Sequence, residues 1–423
     1  MSSTFSAEQP AQERTEDRPH GAATPAQIMR LAHVPAGGKA LLLALTGVRG
    51  GALALSLPNN PPLWFGDEGP LRAAIRVQDV RFFDRVLKRG DIGFAESYIE
   101  GEWSTPDLAD TLTLLASNAE AIMRYFVGGW LGRALNALRH AGRANTRRGA
   151  RRNILAHYDL GNRFFEAWLD PSMTYSSARF DLGAQTLEQG QRDKYRAIAD
   201  RLGLERGQRV LEIGCGWGGF AEIAARDYGA HVTGLTISDA QFAYARARMQ
   251  RLGLSERASI AQIDYRDMQG QFDAIVSIEM FEAVGEKYWP DYFSKVRALL
   301  KPGGRAVLQI ITIRDDLFAH YRRSADFIQH FIFPGGMLPS LARLREEIAR
   351  AGLQWRGFDA FGESYALTLA EWGRRFSGAW REIAPLGFDE RFKRLWLMYL
   401  AYCEAGFRSG RTDVIQLEVQ RPA

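Results

Sequence analysis

RVLEIGCGWGGF, residues Arg209 to Phe220, is the stretch whose reading decides the fold. A short apolar run ends in an acidic residue, a glycine cluster follows, and AEIAARDYG then carries a helical pattern. A strand therefore hands into a helix N-terminus across a loop without bulky side chains. Gly214, Gly216 and Gly218 permit a tight turn and let a ligand lie against the main chain, which a Cβ would obstruct. Glu212, two places before the first glycine, stands where a carboxylate meets that ligand. An acidic residue at a buried strand end also needs a polar partner. The loop reads as a nucleotide or nucleoside pocket, although glycine triplets also serve purely structural turns.

Working outward, strands are expected at Arg209 to Ile213, His231 to Thr236, Ser259 to Ile263, Phe272 to Ile278 and Arg305 to Ile313, with helices between them. Such alternation predicts an α/β, doubly wound, Rossmann-like parallel sheet whose ligands lie beyond the strand C-termini. Asp413 to Gln420 adds a last strand, expected at the sheet edge, after an aromatic helix over Phe388 to Phe407. Upstream, residues 25–118 read as a smaller α+β domain. Leu53, Leu55 and Leu57 alternate before the turn PNNPP, Leu71 to Val77 alternates again, and Asp79 to Arg89 forms a short amphipathic helix through Val80, Phe83, Val86 and Leu87. Residues 119–152 combine an apolar helical side with Arg139, Arg143, Arg147 and Arg151 at every fourth place. That pattern suits either an anionic membrane surface or a solvated linker helix, in which Gly142 and Gly149 are weak points. The main domain is expected over 153–423.

With 423 residues the chain can bury a large core. Its 54 Lys and Arg against 49 Asp and Glu favour anionic surfaces such as phospholipid head groups, but the excess is too small to argue for nucleic acid. Two cysteines, Cys215 and Cys403, exclude a disulfide framework and point to a reducing compartment. Residues 1–24 lack an apolar core, which excludes a secretory signal and reads as a disordered tail. Because no uninterrupted apolar run comes near the ~20 residues that span a bilayer, a soluble or peripheral protein is expected.

Two cofactor classes compete for the glycine loop. A dinucleotide fold wants a carboxylate at the tip of the second strand, about 20 residues on. That tip reads GLTIS, so Thr236, Ser238 and Gln241 can bond a ribose without a carboxylate right at the strand end. Asp264 and Tyr265, after the third strand, are placed to meet an adenine. These features lean towards S-adenosylmethionine over NAD.

The runs HYDLGNRFFEAWLDPSMTYSSARF (His157 to Phe180), LEIGCGWGGFA, GLTIS, DYRD (Asp264 to Asp267), FDAIVSIEMFEAVG (Phe272 to Gly285), FIFPGGMLPS (Phe331 to Ser340) and YCEAGFR (Tyr402 to Arg408) resemble the cyclopropane fatty acid synthase family of S-adenosylmethionine-dependent methyltransferases. The resemblance runs from about Asn153 to the end and, more loosely, over the N-terminal unit. It implies methyl transfer to the cis double bond of an unsaturated phospholipid acyl chain, a carbocation, and loss of a proton from the new methyl to close a cyclopropane ring. A weak alkene nucleophile must then be held close to the methyl in a dry pocket, and aromatic faces tolerate the cation. Tyr158, Phe164, Trp168, Phe180, Phe331 and Tyr365 are the aromatic candidates, against the blander reading that each is core.

The resemblance further implies a bicarbonate ion as base, held by Glu, His, Tyr, Cys and backbone groups. Carried across by motif, the Glu falls on Glu282 and the Tyr on Tyr365. The Cys becomes Ser177, the His at the end of the fifth strand becomes Gln309, and FEHVG reads FEAVG with Ala283. Ser and Gln can bond an oxyanion but cannot share a proton near neutrality as His does. An alternative is therefore methylation without ring closure, giving a methyl-branched unsaturated chain, and a second is a non-catalytic lipid-binding scaffold. Cys403 takes the place of a late family cysteine, as a catalytic thiol or as a buried apolar residue. For S-adenosylmethionine, the resemblance puts Tyr175 and Ser176 at the amino-acid part. It puts Glu212 to Gly218 at the methionine and ribose, with Cys215 beneath the cofactor and Trp217 walling it. Thr236, Ser238 and Gln241 fall near the ribose, and Asp264, Tyr265 and Ile278 near the adenine or reacting end. The expected setting is cytoplasmic, peripheral at the inner face of the membrane, with a homodimer left open.

Overall fold

The computed structural model describes residues 22–122 and 160–423. The basic segment expected over 119–152, apart from its first four residues, and Tyr158 lie outside the described residues.

The main sheet has seven strands: β5 (Arg209–Ile213), β6 (His231–Thr236), β7 (Ala258–Gln262), β8 (Phe272–Ile278), β9 (Leu300–Ile313), β10 (Gln354–Ala360) and β11 (Thr412–Gln420), in the order β10-β11-β9-β8-β5-β6-β7. Strands β7, β6, β5, β8 and β9 are parallel, as the alternation predicts. The last strand is not at the edge. β11 runs antiparallel between β9 and β10, and the edge belongs to β10. QWRGFDA lacks clean alternation, carries a register shift between Trp355 and Gly357, and is largely exposed, so its pattern gives no strand signal.

Both faces of the sheet are covered. Val210 of β5 packs with Tyr195, Ile198 and Phe220 on one face, while Leu211 and Ile213 pack with Trp289, Phe293 and Leu344 on the other. This two-sided burial is why RVLEI reads as a continuous apolar run. Glu212 shares the Val210 face, the side of helix Leu187–Leu202.

Upstream, β1 (Gly51–Ser56), β2 (Leu63–Gly66), β3 (Leu71–Val77) and β4 (Trp103–Ser104) form a mixed sheet in the order β2-β1-β3-β4. The end of the expected tail is tied down: Ala23 N–H donates to the Trp64 carbonyl, and Thr24 caps helix Pro25–Met29. The amphipathic helix is longer than expected, Arg81–Ile99, because it resumes after a kink at Gly90 (φ 59°). Before the kink it buries Phe82 and Phe83, and after it Ala95, Tyr98 and Ile99, whereas Val80 and Leu87 are exposed.

Helix Glu390–Arg408 joins the two sheets. Arg394 donates to the carbonyls of Tyr98 (2.5 Å) and Trp103 (2.8 Å) and lies 4.1 Å over the Tyr98 ring. Arg408 pairs with Asp110 at 2.6 Å. On the other side of this helix, Phe392 stacks between Phe388 and Trp396, all three rings surround Phe164, and Phe164 in turn packs on Trp168 and Phe376. Phe164 and Trp168 are therefore core rings, the blander of the two sequence readings.

Candidate active site

A cavity of 360 Å³ opens beyond the C-terminal ends of the central strands. Its wall takes Glu212 to Trp217 from the end of β5 and the loop after it, Thr236 from the end of β6, Gln241 from the helix that follows, and Asp264 and Tyr265 after β7. Ile278, Glu279 and Glu282 come from the end of β8, and Tyr365, Cys403 and Phe407 from the C-terminal helices. Tyr175 and Ser176 close it from the segment before helix Leu187–Leu202.

At the glycine-loop end, Gly214 and Gly216 have φ of 82° and 51°. A Cβ on Gly216 would meet nothing within 4 Å, so the backbone there faces open space. The buried Glu212 has one carboxylate oxygen, Oε2, without a hydrogen-bond partner among the described residues. Burial pushes its carboxyl well up, opposed mainly by Lys194. An unpartnered buried acceptor beside bare backbone is the environment that a polar, cationic ligand completes, so these residues fit S-adenosylmethionine.

Neighbouring residues divide between wall and scaffold. Trp217 lines the cavity and is fixed by its Nε1 donating to Asn162 at 2.9 Å. Cys215 lies on the wall, its thiol pushed well up by burial. Thr236 donates to the Gln241 side chain at 2.9 Å. Two expected contacts are off the wall. Ser238 caps helix Asp239–Arg251, accepting from Gln241 N–H, and Gly218 (φ 85°) starts helix Gly219–Asp227 and backs onto Ala245 and Met249. Asp264 bonds Arg266 at 2.5 Å while still facing the cavity. The Tyr175 and Tyr399 hydroxyls share a hydrogen bond at 2.7 Å.

At the other end stands a residue that the motif reading passed over. Glu279 follows β8 directly and is held at φ 49°, a conformation side chains with a Cβ avoid. Its carboxylate accepts three hydrogen bonds: from Tyr365 Oη (2.6 Å), Gln309 Nε2 (2.8 Å) and Ser177 N–H (2.8 Å). These are three of the positions that the family resemblance assigns to bicarbonate. Ser177 and Gln309 are wholly buried behind the wall and reach the cavity through Glu279. Glu282 does face the cavity, but its Oε1 accepts from Ile311 N–H at 2.6 Å, and its Oε2 has no partner among the described residues. The donor set is thus engaged with a carboxylate of the chain itself and does not fit a bicarbonate ion.

The register explains why Gln309 points this way. β8 and β9 pair Ile278 with Gln309, so Glu279 N–H donates to the Gln309 carbonyl at 2.9 Å. β9 and β11 pair Gln309 with Gln416, placing both amides on one face. A guanidinium only donates, so Arg179 engages Gln416 Oε1 (3.1 Å). Gln416 Nε2 then donates to Gln309 Oε1 (3.1 Å), which leaves the Gln309 NH₂ aimed at Glu279. An arginine two hydrogen bonds away therefore orients an amide at the cavity.

Charge in the site is unusual. Burial pushes the Glu279 carboxyl up, against the pull of Tyr365, Lys194, Ser177 and Gln309. Burial, and then the nearby Glu279, push Glu282 up to about 8, so Glu282 is largely neutral near pH 7. Lys194 is buried, brought down to about 7 by burial against the attraction of Glu279, and donates to Ser176 Oγ at 2.5 Å. The Cys403 thiol is pushed up by burial, then by Asp326 and Glu279. Of the aromatic candidates, Tyr365 lines the cavity and Phe180 and Phe331 do not, while Tyr399, Phe333 and Phe407 do.

Residues 145–417 match the model of the mycolic acid cyclopropane synthetase family. The chain belongs to that family. A tuberculostearic acid methyltransferase of Mycobacterium tuberculosis, UfaA1, is 42% identical over 340 residues, covering 78% of this chain and 79% of that protein. A cyclopropane-fatty-acyl-phospholipid synthase of Escherichia coli is 37% identical over 360 residues, covering 84% and 89%. Among solved structures, mycolic acid cyclopropane synthase CmaA1 complexed with SAH and CTAB superposes with a TM-score of 0.60 at 30% identity, over 64% of this chain and 98% of that one. Membership in the family makes this chain an S-adenosylmethionine-dependent methyltransferase with the expected α/β sheet.

Proposed function

We propose that this member of the cyclopropane synthetase family transfers a methyl group from S-adenosylmethionine to the cis double bond of an unsaturated phospholipid acyl chain and closes a cyclopropane ring. One observation carries the reading. A single cavity runs from the unpartnered Glu212 carboxylate and bare glycine loop to an apolar chamber of Ile311, Ile328, Phe333, Met337, Leu338 and Leu369. The first part suits a charged nucleoside, and the second suits a hydrocarbon chain.

When bound, S-adenosylmethionine supplies an electrophilic methyl carried on a sulfonium. The loop from Glu212 to Trp217 would hold it, with Thr236 and Gln241 at its ribose and Asp264 and Tyr265 at its base. The Tyr175, Tyr265 and Trp217 rings offer faces that favour positive charge without attacking it. The apolar wall excludes water, which would otherwise trap the carbocation on the acyl chain before the ring closes. Among the described residues no helix is long and apolar enough to cross a membrane.

A second reading, methylation without ring closure, is favoured by the 42% identity to a methyltransferase named for tuberculostearic acid, a methyl-branched acyl chain, and by Gln309 and Ala283 replacing the family's histidines. Incubation of the purified chain with methyl-labelled S-adenosylmethionine and vesicles of cis-unsaturated phospholipid tests both. The expected outcome is labelled acyl chains heavier by one CH₂ that run as saturated ring compounds on gas chromatography. Products that retain an olefin would establish the second reading. Absence of label in lipid would end both.

A further inference from the structure

At three of the positions that the resemblance assigns to a bicarbonate ion, a donor is already engaged by a carboxylate belonging to the chain. Tyr365, Gln309 and the Ser177 amide converge on Glu279 at 2.6 to 2.8 Å, and Glu279 faces the same cavity as the apolar chamber. The residue sits in left-handed backbone (φ 49°) directly after β8, a strained conformation for a residue with a Cβ. The amide chain from Arg179 through Gln416 fixes Gln309 as a donor, a polarity that matches an anion and would clash with a neutral donor in its place.

We propose that Glu279 is the catalytic base of this enzyme, taking the proton that the family otherwise gives to a bound bicarbonate. This rests on the methyl-transfer reading above. After the alkene pair has formed the new C–C bond and the S–CH₃ bond has broken, the acyl chain carries a cationic carbon beside the new methyl group. A Glu279 oxygen takes one methyl proton, and the released C–H pair closes the third ring bond onto the cation. Glu279 is left as the acid and returns its proton to solvent before the next turnover. Tyr365, Gln309 and Ser177 act as positioning groups. They aim the carboxylate in a dry site and oppose the rise that burial imposes on it. The neutral Glu282 beside it keeps a second negative charge out of the pocket.

The test uses the full-length enzyme, methyl-labelled S-adenosylmethionine and cis-unsaturated phospholipid vesicles, in buffer stripped of carbon dioxide and in buffer with added bicarbonate. Turnover of the unaltered enzyme should differ by less than about twofold between the two. Glu279→Gln should lose about 100-fold or more in kcat while binding S-adenosylmethionine unchanged by calorimetry. Glu279→Gly, which relieves the strained backbone and vacates the donor set, should regain turnover when bicarbonate or formate is added. A strict bicarbonate requirement of the unaltered enzyme would overturn the proposal, and so would full kcat in Glu279→Gln. If Glu279→Gln fails to fold, the bicarbonate response of the unaltered enzyme decides alone. No methyl transfer in either buffer would sink the function itself and this proposal with it, a result distinct from bicarbonate dependence.

Discussion

At the glycine-loop end of the cavity the wall is one unbroken stretch, Glu212 to Trp217, with short supplements from the ends of β6 and β7. At the carboxylate end, Glu279, Gln309, Tyr365, Ser177 and Lys194 come from five separate places in the chain and meet only because β8, β9 and β11 pair in one register. The first end works through backbone: bare glycines and a helix start. The second works through side chains that hold one another, from Arg179 inward. A change at the first should act on ligand binding, and a change at the second on the chemical step.

The largest expected effect breaks the first end. Gly214 has φ 82°, and a Cβ there would lie 2.8 Å from Met280 Cγ. Gly214→Val combines a disfavoured backbone with a clash, so affinity for S-adenosylmethionine should fall by about 100-fold or more, read by calorimetry. Next comes Gln309→Leu at the second end. It strands the Gln416 amide and removes a donor from Glu279, each a buried loss of about 1–3 kcal/mol. kcat should fall by about tenfold or more with S-adenosylmethionine affinity held within about twofold. A comparable loss of affinity would show that the two ends are coupled.

The same contrast explains what could be read from the sequence. A loop built from consecutive residues announces itself, and so do strands buried on both faces, which is why β5 to β9 fall where the alternation puts them. Glu279 sits three residues before Glu282 in SIEMFEAVG, and motif matching drew attention to the second acid alone. The rule applied to Glu212, that an acid at a buried strand end needs partners, holds for Glu279 after β8 and would have found it. Lys194 gave no such signal. Lysine on a mostly polar helix reads as solvated, and its burial depends on the tertiary packing of helix Leu187–Leu202. The exchange of edge between β10 and β11 was illegible for a similar reason, because an exposed, bulged strand has no pattern of its own.

Glu282→Gln sharpens the comparison through pH. The folded carboxyl titrates at about 8 against an ordinary 4.5, so between these values the folded state holds a proton that the unfolded state has lost. Stability therefore falls as pH rises through this window, by up to about 1.4 kcal/mol per pH unit. Lys194 acts oppositely. Its folded value of about 7 lies below the ordinary 10.5, and its burial penalty is relieved as pH rises above about 7. Melting temperatures of Glu282→Gln measured across pH 4.5 to 8 should show a flatter decline than those of the unaltered chain. An unchanged slope would mean that Glu282 is ionised in the fold and that Glu279 does not stand alone as the anion.

The smallest expected effect is at Cys403, which lies on the cavity wall near the carboxylate end without entering its hydrogen-bonded set. Burial raises the thiol first, and the neighbouring Asp326 and Glu279 raise it further, because each negative charge disfavours a thiolate. A thiol held in that form is neither a nucleophile nor a base at neutral pH. Cys403→Ala removes one sulfur from an otherwise apolar contact, so stability should fall by about 1 kcal/mol or less and kcat should stay within about twofold. The measurement is paired initial rates and thermal melts. A loss of tenfold or more in kcat at unchanged melting temperature would require a thiolate beside two carboxylates, and the assignment of the anion to Glu279 would have to give way to a shared proton between the two side chains.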